Sequence, residues 1–493
     1  MLYPNLNCVK DLLKQYDTVP VFYEVLSDNY TPIYIFNALK DTCDNCFILE
    51  SVDNKNNWGR YSFIGINPKA EIKIKDGLGW IIKEEGSSTE KIDSPTEFLQ
   101  SILNQYKSPN FPNRPKLTGG LIGYFGYDMV RYFEKTLVNI PEDDIGIPDC
   151  NLFLFDEIIA FDHLTNKTVV ILNISSKDDA SKQYESCIRR SKVISNLIKN
   201  YIPIKNKPKQ NKEIEVKSNL TKKEFMDNVN KAKEHIKNGD IFQVVLSQRF
   251  EVQNTPDPFD VYRVLRSTNP SPYLYYFKTN DYQIVGASPE MLVNVTKKII
   301  STKPIAGTIC RGVTEDEDKE FEKQLLADPK ERAEHTMLVD LGRNDVGKVS
   351  KFGTVEVTEF MKVDRYSKVM HLVSGVKGIL QNDKTALDAL SSVLPAGTLS
   401  GAPKVRAMEL IDEIENKKRG LYGGTVGYFA FDGNMDTCIA IRTALFKDNK
   451  AYIQAGGGIV LDSVPENEFE ESENKAFAVL NALKEACKLW FYW

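Results

Sequence analysis

The chain has 493 residues, of which 42% are hydrophobic and 27% are charged, so it can bury a sizeable core. Its 63 basic and 68 acidic residues give a formal net charge of −5, which argues against a nucleic-acid-binding surface. The N-terminal segment lacks the apolar stretch of a signal peptide, and no apolar run is long enough to span a bilayer. We therefore expect a cytoplasmic protein whose eight cysteines are reduced thiols.

The first part of the chain is rich in strand-like runs, which predicts antiparallel sheet with a few helices. The predicted strands cover residues 20–26, 31–39, 46–52, 60–66, 70–75, 119–128, 151–162 and 168–174. A helix is predicted over residues 180–199. The segment 203–218 is rich in Lys and Asn, which indicates a linker or an exposed edge. We therefore divide the chain into an N-terminal region (1–202), this linker (203–218) and a C-terminal region (219–493).

Beyond this segment, the sequence predicts a helix followed by a strand. Thr221 and Glu224 form a capping box that predicts the helix start. The run 241–252 alternates as a strand that places Gln243 and Ser247 on one face. The polar face could line a cavity or could be the wet face of an edge strand, and the pattern alone leaves both possibilities open.

Two predicted helices, which begin near residues 329 and 465, each carry a Glu-x-x-Glu pair on one face. The pairs are Glu331 with Glu334 and Glu468 with Glu471. Such carboxylates could hold one hard cation, and Mg²⁺ usually takes only one or two of them. The alternative is a pair of solvated helix faces, because negative charge near a helix N-terminus is favourable in any case.

Three further segments have both an ordinary and a functional interpretation. The Gly-rich segments 394–404 and 453–460 are predicted turns that could present backbone N–H groups to an anion, although neither is a P-loop. Residues 303–312 are also predicted to form a turn. Cys43 and Cys46 form a C-x-x-C pair, but no second pair stands at zinc-ribbon spacing, which favours two loop cysteines over a metal or redox site.

Seven sequence motifs contain several of the residues discussed so far. In chain order they are SPE (288–290), PIAGT (304–308), EHTMLVDLGRND (334–345), LPAGTLSGAPKVRAMELI (394–411), YGGTVGYF (422–429), DTCIAIRTALF (436–446) and QAGGGIVLDSVPENEFEESENKA (454–476). Together they strongly resemble the chorismate-utilising enzymes: anthranilate synthase component I, aminodeoxychorismate synthase component I, isochorismate synthase and salicylate synthase. The resemblance implies an α+β fold, with two antiparallel β-sheets packed face to face, flanked by helices, and the site in a cleft between them.

The resemblance also implies a Mg²⁺-dependent site with assigned roles. Glu334 and Glu471 match the metal ligands, with Glu331 and Glu468 beside them. The positions that match substrate-binding groups are Ala306, Gly307, Thr308, Tyr422, Arg442, Gly456, Gly457, Gly458 and Lys475. The positions that match catalytic groups are Glu290, the general acid for the departing 4-hydroxyl group, His335, linked to loss of the C2 proton and pyruvate, Gln243 and Thr398.

Two positions indicate the branch of the family. Members that add water have Lys in place of Gln243, and Gln cannot act as a base at pH 7, which favours ammonia as the nucleophile. Typical aminodeoxychorismate synthases have a nucleophilic Lys in place of Ala306, which a methyl group cannot replace. The resemblance therefore implies amination at C2 and formation of anthranilate. An aminodeoxychorismate synthase that tolerates Ala306, and a catalytically silent chorismate or tryptophan sensor, remain alternatives.

Regulation and partners follow from the same resemblance. FILES (47–51) and NPSPYLYYF (269–277) resemble motifs of the tryptophan-inhibited members. The matching inhibitor-site positions are Glu50, Ser51, Ser271, Pro272 and Tyr273. The chain carries no glutaminase signature, so the resemblance implies a separate glutamine amidotransferase subunit that supplies ammonia, in a heterodimer or a heterotetramer.

Overall fold

The computed structural model describes residues 2–52, 58–203, 213–365 and 369–488. Within these ranges the helices, in chain order, are α1 (Leu6–Leu12), α2 (Pro32–Leu39), α3 (Pro95–Leu103), α4 (Val130–Phe133), α5 (Ala180–Asn200), α6 (Lys222–Lys237), α7 (Pro258–Thr268), α8 (Glu315–Ala327), α9 (Pro329–Gly347), α10 (Ala386–Val393), α11 (Lys404–Ile414) and α12 (Pro465–Lys488). No helix in these ranges combines the length and the apolar character that a membrane span requires.

The strands, in chain order, are β1 (Leu2–Tyr3), β2 (Thr18–Leu26), β3 (Cys46–Glu50), β4 (Tyr61–Ile66), β5 (Ala70–Lys75), β6 (Leu78–Lys83), β7 (Gly86–Lys91), β8 (Gly120–Phe125), β9 (Cys150–Phe155), β10 (Glu157–Asp162), β11 (Lys167–Ser175), β12 (Glu215–Ser218), β13 (Gln243–Gln253), β14 (Tyr273–Lys278), β15 (Gln283–Ser288), β16 (Met291–Thr296), β17 (Ile299–Thr302), β18 (Ile305–Cys310), β19 (Glu356–Arg365), β20 (Val369–Ile379), β21 (Gly401–Ala402), β22 (Thr425–Ala430), β23 (Met435–Ile439), β24 (Thr443–Lys447) and β25 (Lys450–Ile459).

These strands form two antiparallel sheets. The first sheet has the order β1-β2-β11-β10-β4-β3-β14-β15-β24-β25-β13-β12, with β21 paired to β13. The second has the order β18-β20-β17-β16-β23-β22-β8-β9-β5-β6-β7, with β19 paired to β20. Both sheets contain strands from before and after the segment 203–218, so the N- and C-terminal regions are interleaved in space.

The sheets pack face to face because side chains alternate along each strand. In β3, Phe47 joins the core between the sheets, whereas Ile48 joins the core beneath the helices on the outer face. The ring of Phe47 meets that of Phe155 from the other sheet edge to face, with centroids 4.9 Å apart. Such a pair contributes about 1 kcal/mol beyond the burial of its surface.

One predicted strand is wrong. Residues 31–39 form α2 because Thr31 caps the helix, accepting from the N–H of Tyr34, and Pro32 occupies its first turn. Its buried residues, Pro32, Ile35, Phe36 and Leu39, recur at helical spacing and pack on the outer face of the first sheet. The β-branched and aromatic composition suggested a strand, but the cap and the spacing determine the structure.

The structure also bears on the predictions made for the segment 203–218 and the residues after it. The capping box of Thr221 and Glu224 is confirmed at the start of α6. Residues 204–212 lie outside the described residues, and Glu215–Ser218 forms β12, an exposed edge strand paired with β13. Within β13, Gln243 and Ser247 are both buried, so their face lines the interior.

Candidate active site

Helices α9 and α12 carry the two pairs of glutamates to one place. Asp328 caps α9 by accepting from the N–H groups of Lys330 (2.9 Å) and Glu331 (3.2 Å), as the sequence predicts. Helix α9 packs against β18 and β20 of the second sheet, and α12 packs against β25 of the first. The carboxylates of the two helices lie near one another, beside β13 and β25.

The segment 453–460 is part of β25 and not a turn, so that prediction is wrong. Its glycines pair with β13, and a Cβ at Gly456 would overlap the carbonyl oxygen of Leu246. A Cβ at Gly458 would overlap the amide nitrogen of Gln243. Glycine is required here because two backbones and a side chain approach closely, rather than because the chain reverses.

The same glycine strand lies against the glutamates of α12. A Cβ at Gly457 would lie 3.1 Å from Glu468 Oε2 and 3.5 Å from Glu471 Oε1. Lys475 donates to the carbonyl oxygen of Gly456 (3.0 Å) and forms an ion pair with Glu471 (2.7 Å). One side of the site is thus a side-chain-free strand faced by two carboxylates and an ammonium group.

The glutamates of α9 face this strand from the other side. Gln243 donates to Glu334 Oε1 (3.3 Å), which joins β13 to α9. A Cβ at Gly307 would lie 3.0 Å from Glu331 Oε2. Residues 305–310 form β18 and not the predicted turn. Gly307 has a φ of +66° at a register shift against β20, as in a β-bulge.

The electrostatics of the four glutamates suit a cation. Burial, followed by the charges of Glu334 and Asp328, raises the pKa of Glu331, and the charge of Glu471 contributes to the same shift. Burial is also the main cause of the raised pKa of Glu468, to which Glu471 adds. In the described ranges no three acidic, His or Cys side chains are close enough to hold a metal by themselves. The donors fit Mg²⁺ in kind, with carboxylates from two helices and further ligands left to substrate or water.

Glu290 is the most perturbed carboxyl group in the site. It lies between β15 and β16, and Thr398 Oγ1 donates to its Oε1 at 3.2 Å. Burial of the carboxyl group raises its pKa to about 8, although the Thr398 hydrogen bond and the charge of Lys475 act in the opposite direction. Glu290 is therefore protonated near neutral pH and can donate a proton.

His335 is completely buried on α9. Its Nε2 lies 2.6 Å from Ser374 Oγ, and its Nδ1 has no hydrogen-bond partner among the described residues. Burial lowers its pKa to about 4, so the imidazole is neutral at pH 7. Ser374, on β20, also accepts from the N–H of Met361 (3.0 Å), which fixes the hydroxyl group that orients the ring.

Arg442 is a cation without an ionic partner among the residues that the structure describes. Its φ is +52°, and within the described ranges its half-buried guanidinium group makes neither a side-chain hydrogen bond nor an ion pair. Burial lowers its pKa. Burial lowers the pKa of His371, the hydrogen bond to the Gly307 carbonyl oxygen opposes this shift, and the charge of Arg442 adds to it. Arg442 and His371 are therefore neighbours.

Tyr422 and Thr308 complete the predicted substrate positions. Tyr422 is buried above Arg419, whose guanidinium carbon lies 5.6 Å from the centre of its ring. Arg419 in turn binds Glu415 and donates to the carbonyl oxygens of Leu399 and Val245, which ties this corner to β13. Thr308 is exposed, and its hydroxyl group lies 2.9 Å from His371 Nδ1. Ala306 is partly exposed in β18.

Two polar residues of this region did not emerge from the sequence. Ser374 and His371 lie on β20, in a run that contains no recognisable motif. A histidine in an otherwise apolar strand was the available signal for His371. No sequence feature marks Ser374, because its role depends on the pairing that brings β20 under α9.

The predicted inhibitor-site residues also come together. Strands β3 and β14 are neighbours, with Glu50 opposite Leu274, and the N–H of Val52 donates to the carbonyl oxygen of Ser271 (3.1 Å). Ser51 has a buried hydroxyl group that makes no hydrogen bond within the described part of the chain. Pro272 joins Ser271 to Tyr273, whose hydroxyl group donates to Asp436 (3.1 Å).

The carboxylate of Glu50 accepts hydrogen bonds from other side chains of the protein. It accepts from Tyr262 (2.6 Å) and from Arg266 (2.7 and 3.2 Å), both on α7. It also accepts a longer bond from Ser62 (3.4 Å). Glu50 therefore holds β3 against α7, and the free hydrogen-bonding capacity at this end of β3 lies with Ser51.

Comparison with known proteins agrees with this architecture. The family model of chorismate binding enzymes matches residues 44–481. The chain is 50% identical to anthranilate synthase component 1 of Acetivibrio thermocellus, with 99% of each chain covered. It is 45% identical to that of Pseudomonas putida, over 95% of this chain and 96% of the relative.

Solved structures give the same result. The crystal structure of anthranilate synthase component I from Streptococcus pneumoniae matches with a TM-score of 0.77 and 41% identity, covering 92% of this chain and 98% of that one. The menaquinone-specific isochorismate synthase of Escherichia coli, at 19% identity and a TM-score of 0.68, shares the fold, and the alignment covers 97% of this chain and 98% of that one.

The chain belongs to the chorismate binding enzyme family. The predictions of a chorismate-utilising enzyme and of an α+β fold with two antiparallel sheets are therefore confirmed. The prediction that it lies in the anthranilate synthase branch is confirmed by its full-length relatives.

Proposed function

We propose that the chain is a lyase that converts chorismate and ammonia into anthranilate and pyruvate through 2-amino-2-deoxyisochorismate. This is the first committed step of tryptophan biosynthesis. The observation that supports the proposal is that burial keeps the Glu290 carboxyl group protonated and the His335 imidazole neutral at pH 7, and we assign both groups to one site. The reaction needs one group to give a proton and another to receive one.

In the first step, Glu290 gives its proton to the departing 4-hydroxyl group while ammonia bonds to C2. The proton is available because burial keeps the carboxyl group neutral up to about pH 8. Thr398 holds the carboxyl group in place through its hydrogen bond. In the second step, the C2 proton and pyruvate leave and the ring becomes aromatic. Neutral His335 has one ring nitrogen able to accept a proton, and Ser374 fixes the ring orientation.

The substrate carboxylates would be bound by positively charged side chains and by backbone or hydroxyl donors. The guanidinium fork of Arg442, which has no side-chain partner among the described residues, suits a carboxylate through two parallel hydrogen bonds. Lys475 adds an ammonium group beside the glycine strand of Gly456 to Gly458. We assign Tyr422, Thr308 and Gly307 to the same substrate site. The strand has no side chains, so a planar ring can approach its backbone.

We assign Mg²⁺ to the glutamates of α9 and α12. Glu334 and Glu471 would hold it, with Glu331 and Glu468 beside them. When bound, the ion offsets the negative charge of substrate carboxylates in a protein of net charge −5. Gln243 already orients Glu334 through its amide group and carries no basic nitrogen for activating water, which supports ammonia as the nucleophile. Ala306 places a methyl group, which is not a nucleophile, where typical aminodeoxychorismate synthases have a nucleophilic Lys.

Ammonia would come from a glutamine amidotransferase subunit, with two such pairs in a heterotetramer, in the cytoplasm. Tryptophan would inhibit by binding at Ser51, Ser271, Pro272 and Tyr273, with Glu50 beneath. The route to the active site is short: Tyr273 stands opposite Ser288 in the sheet, and Ser288 contacts the backbone of Glu290 at 3.4 Å. A ligand that moved β14 would therefore disturb the proton donor.

Product analysis tests the proposal against its alternatives. The purified chain is incubated with chorismate, MgCl₂ and an ammonium salt, and the products are identified by mass and fluorescence. We expect anthranilate and pyruvate. An amine at C4 with the enolpyruvyl group retained would instead indicate an aminodeoxychorismate synthase, and unchanged chorismate would indicate a silent sensor.

A further inference from the structure

The C-x-x-C pair at the start of β3 has a place in the structure that the reaction does not use. Cys43 is half-exposed in the turn before β3, whereas Cys46, the first residue of the strand, is 2% exposed. Each thiol shifts the pKa of the other, so the two sulfurs are neighbours. One partly accessible sulfur thus lies next to one buried sulfur.

The surroundings of Cys43 favour a negative sulfur. Lys278 lies opposite Cys46 in the sheet, and its ammonium group donates to the carbonyl oxygens of Cys43 (3.0 Å) and Lys40 (3.2 Å). The hydrogen bond from Cys46, then the N–H of Asn67 and the charge of Lys278, lower the pKa of Cys43 to about 7, against the effects of burial and Asp44. A larger share of the Cys43 sulfur is therefore thiolate at neutral pH than in an ordinary cysteine.

The buried partner has the opposite character. Its hydrogen bond to Cys43 and its burial raise the pKa of Cys46. Between the two cysteines, the side-chain oxygen of Asn45 is buried without a hydrogen-bond partner among the described residues. An accessible attacking thiolate with a protonated thiol behind it is the arrangement of dithiols that exchange with disulfides.

We propose that Cys43 and Cys46 form a redox-active dithiol that a low-molecular-weight disulfide oxidises to an intramolecular disulfide. The Cys43 thiolate attacks one sulfur of the reagent, whose S–S bond breaks, and the released thiolate takes a proton from water. Cys46 then loses its proton to water and attacks the Cys43 sulfur, which breaks the mixed disulfide and releases the second thiol. Two protein thiols are oxidised and one reagent disulfide is reduced to two thiols.

Oxidation with glutathione disulfide tests the inference. The folded full-length chain is incubated with the reagent, remaining thiols are alkylated, and peptides are identified by mass spectrometry. We expect a peptide with Cys43 and Cys46 joined, lighter by two hydrogen atoms, and restored to the dithiol by dithiothreitol. A wild-type chain that remains reduced, or that keeps glutathione on Cys43, would overturn the proposal.

Two variants separate the steps. Cys46→Ser removes only the resolving thiol, so Cys43 should retain one glutathionyl group that wild type releases. Cys8→Ser, a change at an exposed cysteine on α1, should form the Cys43–Cys46 disulfide at the wild-type rate. If Cys46→Ser accumulated no more adduct than wild type while circular dichroism showed it folded, the resolving role would be wrong. The wild-type result stands independently if that variant does not fold.

Discussion

Glu290 is the carboxyl group of the candidate site whose pKa lies furthest above its ordinary value. Burial opposes ionisation of its carboxyl group, and only the Thr398 hydroxyl group and the more distant charge of Lys475 counter it. Its pKa of about 8 makes a carboxylic acid available at the pH where an ordinary glutamate has none. This single residue therefore supplies the proton that the proposed first step consumes.

The pH dependence of the reaction follows directly. Since Glu290 is protonated below its raised pKa and ionised above it, kcat/KM should fall as pH rises through about 8. Initial rates at saturating ammonium and limiting chorismate measure this basic limb, after correction for the fraction of free ammonia. Glu290→Gln should be nearly inactive throughout. A wild-type profile that stays level well above pH 8 would exclude Glu290 as the proton donor.

Thr398 tunes the same group. Thr398→Val removes the hydrogen bond that lowers the pKa of Glu290, so the basic limb should move to higher pH by up to about one unit. Thr398→Ser keeps the hydroxyl group and serves as the matched control, with a limb at the wild-type position. An unchanged limb in both variants would show that the contact does not influence the donor.

Arg442 carries a charge that has no ionic partner in the described part of the chain, and we propose that substrate neutralises it. Arg442→Gln should raise KM for chorismate and lower kcat/KM about 10- to 100-fold, the loss of one or two charge-assisted hydrogen bonds. The melting temperature should not fall, because an unpaired half-buried charge is itself costly. Steady-state kinetics and thermal melts measure both effects. A normal KM together with a large drop in melting temperature would indicate a structural role instead.

At the scale of elements, two neighbouring residues at the end of strand β3 have different roles. Glu50 anchors the strand to α7 through Tyr262 and Arg266. Ser51, which follows the strand, has a hydroxyl group without a hydrogen-bond partner among the described residues. The FILES motif therefore contains one residue that stabilises the strand and one that we propose recognises the inhibitor. The two contributions can be distinguished because stability and inhibition are separate measurements.

Substitutions at these neighbours should behave differently. Ser51→Ala should leave the melting temperature near wild type and raise the tryptophan concentration for half-inhibition roughly tenfold, the value of one lost hydrogen bond. Glu50→Gln should lower stability by about 3 kcal/mol because it breaks a buried ion pair. If Ser51→Ala remained fully sensitive to tryptophan, the inhibitor would have to bind elsewhere.

Elements also show what the sequence could and could not reveal. The helix starts at Asp328 and Thr221 were predictable because caps are local signals. Residues 31–39 and 453–460 were assigned wrongly because their composition was given more weight than spacing and tertiary contact. Gly456 to Gly458 are needed where β25 meets β13, and that approach is visible only once the strands are paired.

At the scale of the whole molecule, the site is assembled from both sheets and two helices far apart in sequence. Motif order could identify the participants, since it resembles a known family, but not the neighbours Ser374 and His371 that orient and flank them. Both sheets mix strands from either side of the segment 203–218, so neither region on its own contains a complete sheet.

The sequence contains no recognisable glutaminase motif, so we predict that the isolated chain uses ammonium but not glutamine. With ammonium salts it should form anthranilate, whereas with glutamine alone it should form none until an amidotransferase subunit is added. Fluorescence of anthranilate measures both rates under otherwise identical conditions. Glutamine-dependent turnover by the purified chain would contradict the two-subunit scheme.

The central claim is amination at C2 followed by a separate elimination, and trapping the intermediate tests it most directly. His335→Ala removes the neutral imidazole, so this variant, given chorismate, MgCl₂ and ¹⁵N-ammonium, should accumulate an aminated diacid. Nuclear magnetic resonance should locate the label on C2, with the enolpyruvyl group retained. Label on C4, or anthranilate formed at the wild-type rate, would contradict the account.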